Sequence, residues 1–362
     1  MATNTAEKKW FIQSDYIILI AGAVAVIAAG IAYYAALNSL LAFITSAVAV
    51  ALLASLVGRS VEQLGDRFGP GATGVLQSAL GNLPELFIAI FALKAGLVEV
   101  VKAALVGSIL SNLLLVLGLA FLAGGLKHGA QKLGSDRART VITLMLLSVM
   151  GLAIPSLAHW IHTPAAPHEE TFSLIVSVVL LLLFLLYLPA SLKHGKMGIA
   201  SEKDSTPGPR WPLWLAVGLL AFASVLAAFV SDWFVTALEP AMQALNISDA
   251  FAGLVIVAIA GNAIENVVGI QLALKGQSEY AFSVIINSPL QIALVLAPLL
   301  VIISQVFGLS SLTLVFSPML MASIFLAIIL AAFISFDGES NWLEGAALIA
   351  IYIIIATAFW WG

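Results

Sequence analysis

Eleven times along this chain a stretch of about twenty residues or more passes almost without charge, the length an α-helix needs to cross the hydrocarbon core of a bilayer. The stretches fall near 16–35, 38–58, 71–94, 98–124, 139–160 and 171–190, then, beyond a polar linker, near 211–236, 250–275, 279–303, 314–336 and 342–361. With 62% apolar and 9% charged residues the chain cannot be solvated on every side, because a soluble domain carries about 25% charged residues to cover its surface. The fold class that follows is all-α, a polytopic membrane protein of 11 transmembrane helices. The start, "MATNTAEKKWFIQSDY", is polar, and no small-residue cleavage site follows it. An uncleaved first helix is therefore expected rather than a signal peptide. The lack of cysteine excludes disulfides and thiolate metal sites.

Positive charge orients the spans. With the N-terminus in the cytoplasm, thirteen of the fifteen Lys and Arg residues fall on cytoplasmic segments, and only Lys94 and Lys102 fall outside. Eleven spans then put the C-terminus on the opposite side, with the plasma (inner) membrane as the expected location.

Two of the apolar stretches carry a carboxylate. "GNLPELFIAIFALK" (81–94) and "GNAIENVVGIQLALK" (261–275) share Gly, Asn and Glu at an offset of 180 positions. At the same offset, Gly96, Glu99, Ser108, Leu110 and Leu114 meet Gly276, Glu279, Ser288, Leu290 and Leu294. Apolar matches are common between membrane helices by composition alone, but matching Asn, Glu and Ser are not, so a duplication is read here. Residues 38–190 and 211–362 would be five-helix units, with 1–37 as the N-terminus and first helix and 191–210 as a cytoplasmic linker. An odd number of spans per unit forces the second copy in from the other face. That is the inverted repeat in which secondary transporters place a site at the bilayer midplane.

An isolated Glu at membrane depth costs a few kcal/mol on insertion scales. It is tolerated when protonated, paired with a cation, or facing a wet cavity. No Lys, Arg or His lies in the centre of any span, so Glu85 and Glu265 need a proton or an imported cation. Asn82 and Asn262 each stand three residues before their Glu, on one helix face. Gly81 and Pro84 favour a helix break, and Gly261 a weaker one, since Ile264 stands where the first copy has Pro; a break would free carbonyls at membrane depth. The next helix of each half adds a polar face, Ser108, Ser111 and Asn112 in the first and Asn287, Ser288 and Gln291 in the second. Carboxylates with neutral oxygens suit Ca2+ better than Mg2+, which gives up its water reluctantly. Two such acids are stable together when neutralised, by protons or by one divalent cation, and unstable bare. A carrier that crosses only when neutralised exchanges ion for proton, at about one cation per two protons if these acids alone take part. The helices 16–35, 38–58 and 211–236 would slide against this centre.

With "GSILSNLLLVLG" (107–118) and "NSPLQIALVLAP" (287–298) after the paired motifs, the chain resembles the calcium/proton exchangers of the cation/Ca2+ exchanger superfamily over essentially its whole length. The resemblance implies export of cytosolic Ca2+ in exchange for H+, with Glu85 and Glu265 as shared ligands and Mn2+ or another divalent ion as a possible alternative cargo. It also implies acidic residues on the second and seventh helices, which Glu62 and Glu239 match near the helix ends. Many members carry His after the second motif Glu, where this chain has Asn266. The acidic run between halves common in eukaryotic members is replaced by the mixed-charge 191–210.

Plainer readings stand beside these. The two Glu could be protonated groups bonding helices together, Asn82 and Asn262 could cap helix ends, and the polar faces could be glue between helices. Glu62, in the loop-like "GRSVEQLGDRFGPG", could be a solvated interfacial acid. Glu99 and Glu279 suit helix starts. No phosphate loop supports ATP-driven pumping, no constellation supports a hydrolase, no basic patch supports nucleic-acid binding, and no cofactor is expected beyond the transported ions. The rivals are a Na+/Ca2+ exchanger of the same superfamily and a divalent-cation channel.

Overall fold

Apolar runs bounded by charge or by Gly and Pro become helices that cross in an all-helical bundle. The computed structural model describes residues 10–68, 80–133, 135–198 and 209–361; side chains at 66, 68, 135–138, 190–198, 264–265 and 335–337 lie outside the described residues. The first half contains α1 (Gln13–Tyr34), α2 (Ser39–Phe68), α3 (Leu83–Lys94), α4 (Val98–His128), α5 (Ser135–Trp160) and α6 (Glu169–Gly198). The second contains α7 (Leu213–Leu245), α8 (Asp249–Gly261), α9 (Ala263–Leu274), α10 (Ser278–Val306), α11 (Pro318–Asp337) and α12 (Trp342–Phe359). Two two-residue strands, β1 (Gln131–Lys132) and β2 (Glu339–Ser340), pair antiparallel. Among the described residues eight helices are long and apolar enough to cross a membrane, nine when the bent pair α8–α9 is taken as one span. The protein is an integral membrane protein.

Two groups of aromatic side chains join α1 to α7, at a separation that suits amphipathic rings at the two faces of a bilayer. At one end of α1 and α7, Trp10 packs edge-on against Trp214 at 6.0 Å. At the other end of α1, Tyr33 stacks on Trp233, which lies within α7, at 5.7 Å. Along α7 the rise from Trp214 to Trp233 is about 28 Å, close to the thickness of a hydrocarbon core.

The offset of 180 survives in the backbone. Asn82 and Asn262 hold the same dihedral pair, φ −91°, ψ 15° and φ −93°, ψ 21°, and each starts a helix, Asn262 also ending the one before it. Gly96 and Gly276 share a positive φ, 83° and 77°. In the long helices that follow, α4 widens to π geometry at Ser111–Val116 and α10 at Ile292–Leu296. A third wide turn occupies Ala252–Val257 in α8.

Small residues let the central helices touch backbone to backbone. A Cβ on Gly107 of α4 would lie 2.3 Å from the carbonyl oxygen of Leu254, and one on Gly253 of α8 would lie 2.3 Å from that of Val100. Only glycine fits both positions, and the contact fixes α8 against α4. Farther out, Phe121 of α4 stacks on Phe282 of α10 at 6.2 Å, and Phe43 of α2 on Phe234 of α7 at 5.2 Å.

Several expected boundaries move. Helix α2 runs on past 58 to Phe68, through Gly58 and Gly65, because no proline comes before Pro70, so Glu62 is on a helix and not in a loop. Helix α6 continues to Gly198, inside the stretch read as linker. The span expected from 314 begins as helix only at Pro318, where the Ser317 hydroxyl accepts the Leu320 N–H. Ahead of it, Leu309–Ser317 is non-helical chain, buried at Leu312–Leu314 and Phe316, and three serines bond four of its backbone groups. Ser156 of α5 donates to Leu314 O and accepts from Phe316 N, both at 2.9 Å. Ser173 of α6 accepts from Leu314 N at 2.9 Å, and Ser304 of α10 from Leu312 N at 3.1 Å.

Candidate ion-binding site

The turn at Gly81–Asn82 puts Glu85 in the first turn of α3, where the unpaired N–H groups of a helix start favour a carboxylate. Pro84 fits the same turn, since its missing N–H would have no helical partner there. In the second half the break at Asn262 puts Glu265 in the first turn of α9; the Glu265 side chain lies outside the described residues.

Glu85 is 7% exposed, and no ion pair reaches it among the described residues. Its Oε1 accepts from the Ser108 hydroxyl at 2.7 Å and from the Asn262 amide. Its Oε2 is buried without a hydrogen-bond partner. The Asn262 amide nitrogen also donates to Ser108 Oγ at 2.8 Å and to Ala258 O at 2.9 Å. Asn262 Oδ1 accepts from Asn112 Nδ2 at 3.1 Å and from Ser288 Oγ at 3.4 Å. Asn112 Nδ2 reaches Ser108 O at 2.9 Å and Ser288 Oγ at 3.2 Å as well, and its own Oδ1 is unpartnered. Each amide nitrogen has two hydrogens and faces three acceptors, so the cluster holds more lone pairs than protons. That surplus, with a free carboxylate oxygen, is what a hard cation or a proton would use.

The cluster straddles the two halves, with Glu85, Ser108 and Asn112 from the first and Asn262 and Ser288 from the second. Gly261 makes room for the crossing: a Cβ there would lie 2.3 Å from Glu85 Cγ. A narrow cavity over Glu85 and Ser108 is otherwise walled by apolar side chains, among them Ile88, Ala92, Val101, Ala104 and Leu238.

The structure therefore joins Glu85, Asn262, Ser108, Ser288 and Asn112. Asn82 is half-buried at its break and makes no described side-chain hydrogen bond to the cluster. Asn287 turns back along α10, donating to Ser283 O at 2.6 Å, and Gln291 is half-buried beyond it. Glu62 and Glu239 are exposed, on α2 and α7, and neither lines the cavity. Asn112, read from the spacing as part of the polar face along the ion path, is the link from the first half to Asn262 and Ser288. Its counterpart at the repeat offset is Ile292, which is buried and apolar, so the near-symmetry fails at this position. Gly261 was legible as a helix breaker, whereas its clearance for a carboxylate from the other half needs coordinates.

Comparison with known proteins adds independent findings. The sequence profile described as "Sodium/calcium exchanger protein" matches residues 38–193 and 215–361. The "Ca(2+)/H(+) antiporter" of Aphanothece halophytica is 36% identical over 335 residues, covering 88% of this chain and 89% of that protein. The "Ca(2+)/H(+) antiporter ChaA" of Bacillus subtilis is 35% identical over 320 residues, covering 88% and 91%. Among solved structures, native YfkE superposes with a TM-score of 0.81 at 34% identity, covering 95% of this chain and 99% of that one.

Proposed function

The chain belongs to the sodium/calcium exchanger protein family, and on that premise we propose that it is a secondary antiporter moving Ca2+ in exchange for H+. One observation carries the assignment of the site: a buried carboxylate, Glu85, holds one oxygen in hydrogen bonds from both halves and leaves the other unpartnered. Glu265, in the matching turn of α9, is the second carboxylate of the reading. Ser108, Asn262 and Ser288 supply neutral oxygens, with Asn82 as a further ligand contributed from its break. The two Glu take protons and Ca2+ in turn, because a bare pair in so dry a place is unstable.

The repeated backbone geometry supports an architecture of eleven spans, the extra helix α1 plus two inverted five-helix units. In this reading α2 and α7, with α1, slide past the helices that hold the cluster, opening it to one side and then the other. Lysine and arginine placement supports a cytoplasmic N-terminus in a plasma (inner) membrane, with Ca2+ leaving the cytosol.

The test is radiolabelled Ca2+ uptake into everted vesicles or proteoliposomes under an imposed pH gradient. Uptake that collapses with the gradient and ignores Na+ is expected. Uptake that follows a Na+ gradient would assign a Na+/Ca2+ exchanger instead, and currents without proton movement would assign a channel.

A further inference from the structure

Asp15 is a buried acid far along the sequence from the ion cluster, and the transport reading gives it no task. It sits in the first turn of α1 with its side chain 1% exposed. Its Oδ1 pairs with Arg59 of α2 at 2.5 Å, and its Oδ2 pairs with Arg210, just ahead of α7, at 3.3 Å. Oδ2 also accepts the Ile12 N–H at 2.9 Å, and Arg59 reaches Ser14 Oγ at 3.1 Å. Around this ion triad, α2 grips the start of α7 directly. Gln63 Oε1 accepts the N–H groups of Arg210 and Trp211 at 2.8 and 3.1 Å, and the Arg67 guanidinium donates to Trp211 O.

The far end of α1 is tied as well. Gly30 lies under the Trp233 ring, with Tyr33 stacked on the same ring. Between the two ties, small buried residues of α1 (Gly22, Ala25, Ala29, Ala32) pack inward, while Ile20, Val24, Ile27 and Ile31 are exposed. A buried carboxylate between two guanidiniums is a poor source of net stability, but removing one partner strands the others, so such a network sets geometry strongly.

We propose that Asp15 is a positioning residue for transport: through Arg59 and Arg210 it locks α1 to α2 and α7, so that the three helices shift as one body past the helices that hold Glu85. This rests on the sliding motion proposed above. The same clasp holds the residues where the connection between the two halves enters α7, which makes it the point where that connection and the moving body meet.

Because the chain has no cysteine, thiol pairs can be introduced on a clean background. In reconstituted protein, Ser14→Cys with Arg59→Cys removes one arm of the triad. The maximal exchange rate is expected to fall about tenfold with the Ca2+ KM changed less than about twofold. A short thiol cross-linker joining the pair should restore at least half the original rate, and reductive release should lose it again. A rate indifferent to the loss of Arg59, or one that linking fails to restore, overturns the proposal. As a second measure, Gly30→Cys with Trp233→Cys, linked at the opposite end, should leave exchange running; arrest on linking would show that α1 and α7 move apart, and the proposal fails. Linking Ala92→Cys to Leu238→Cys across the cavity tests the sliding itself. That link should stop exchange, and continued exchange there rejects the sliding reading and not the clasp.

Discussion

Asn262, the residue at which the second half breaks its helix, donates its side-chain amide to the carboxylate of Glu85, which the first half carries in the first turn of α3. Each half thus supplies part of the surroundings of the acid, and neither is complete alone. Glu85→Gln keeps the shape and both donors but removes the charge that, in the proposed exchange, takes proton and ion in turn. Exchange should fall by about a hundredfold or more while the protein still inserts and purifies as a single species. Normal exchange in this variant would remove Glu85 from the mechanism.

The two serines should rank. Ser108 donates to Glu85 Oε1 at 2.7 Å, whereas Ser288 reaches Asn262 at 3.4 Å. A hydrogen bond to a charged group contributes about 1.5–3 kcal/mol and a long neutral one less, so Ser108→Ala is expected to slow exchange about tenfold and Ser288→Ala about threefold or less. Initial rates of Ca2+ uptake at saturating Ca2+ decide it, and the reverse order would point to a different ligand set.

Gly261 offers a steric test. Gly261→Ala forces a methyl group against Glu85 Cγ, and overpacking of this kind costs about 1–3 kcal/mol. Gly218 has open space around it, so Gly218→Ala serves as the control. The expected outcome is a lower Tm and a raised Ca2+ KM for the first and neither change for the second, read from thermal unfolding in detergent and from uptake kinetics.

The non-helical chain at Leu309–Ser317, buried at Leu312–Leu314 and Phe316, makes a stability prediction remote from the Glu85 cluster. Ser156 serves two backbone groups and Ser173 one. Each buried group left unpaired costs about 1–3 kcal/mol, so Ser156→Ala should lower Tm more than Ser173→Ala. Equal effects would mean that water or a local shift replaces the lost bonds.

Charge balance makes the last prediction. If Glu85 and Glu265 alone carry the exchange, one Ca2+ leaves for two H+ and no net charge moves. Uptake driven by a fixed pH gradient should then be unchanged when valinomycin and graded K+ set different membrane voltages. A steep voltage dependence would require a third ionisable group.

Much of this was legible in the sequence because membrane helices announce themselves by length, and because Asn, Glu and Ser repeat at one offset in an otherwise apolar background. The break at Asn262 was read from Gly261 alone and is found where expected, with a bend of 61° between α8 and the rest of α9. What escaped depends on pairs distant in sequence. Asp15 looks like an ordinary helix-start acid until Arg59 and Arg210 are brought to it. The extension of α2 through Glu62 was hidden because polar residues beyond a bilayer-length run read equally well as loop. The non-helical stretch at 314–317 was masked by its own apolar composition, since a buried extended chain and a buried helix show the same hydropathy.

Ile292 stands across the repeat from Asn112, and that exchange of an amide for a hydrocarbon makes the two halves unequal at the cluster itself. Under the sliding motion proposed above, opening toward one surface and opening toward the other would rearrange different hydrogen bonds, so the two openings would differ in energy and the resting carrier would favour one of them.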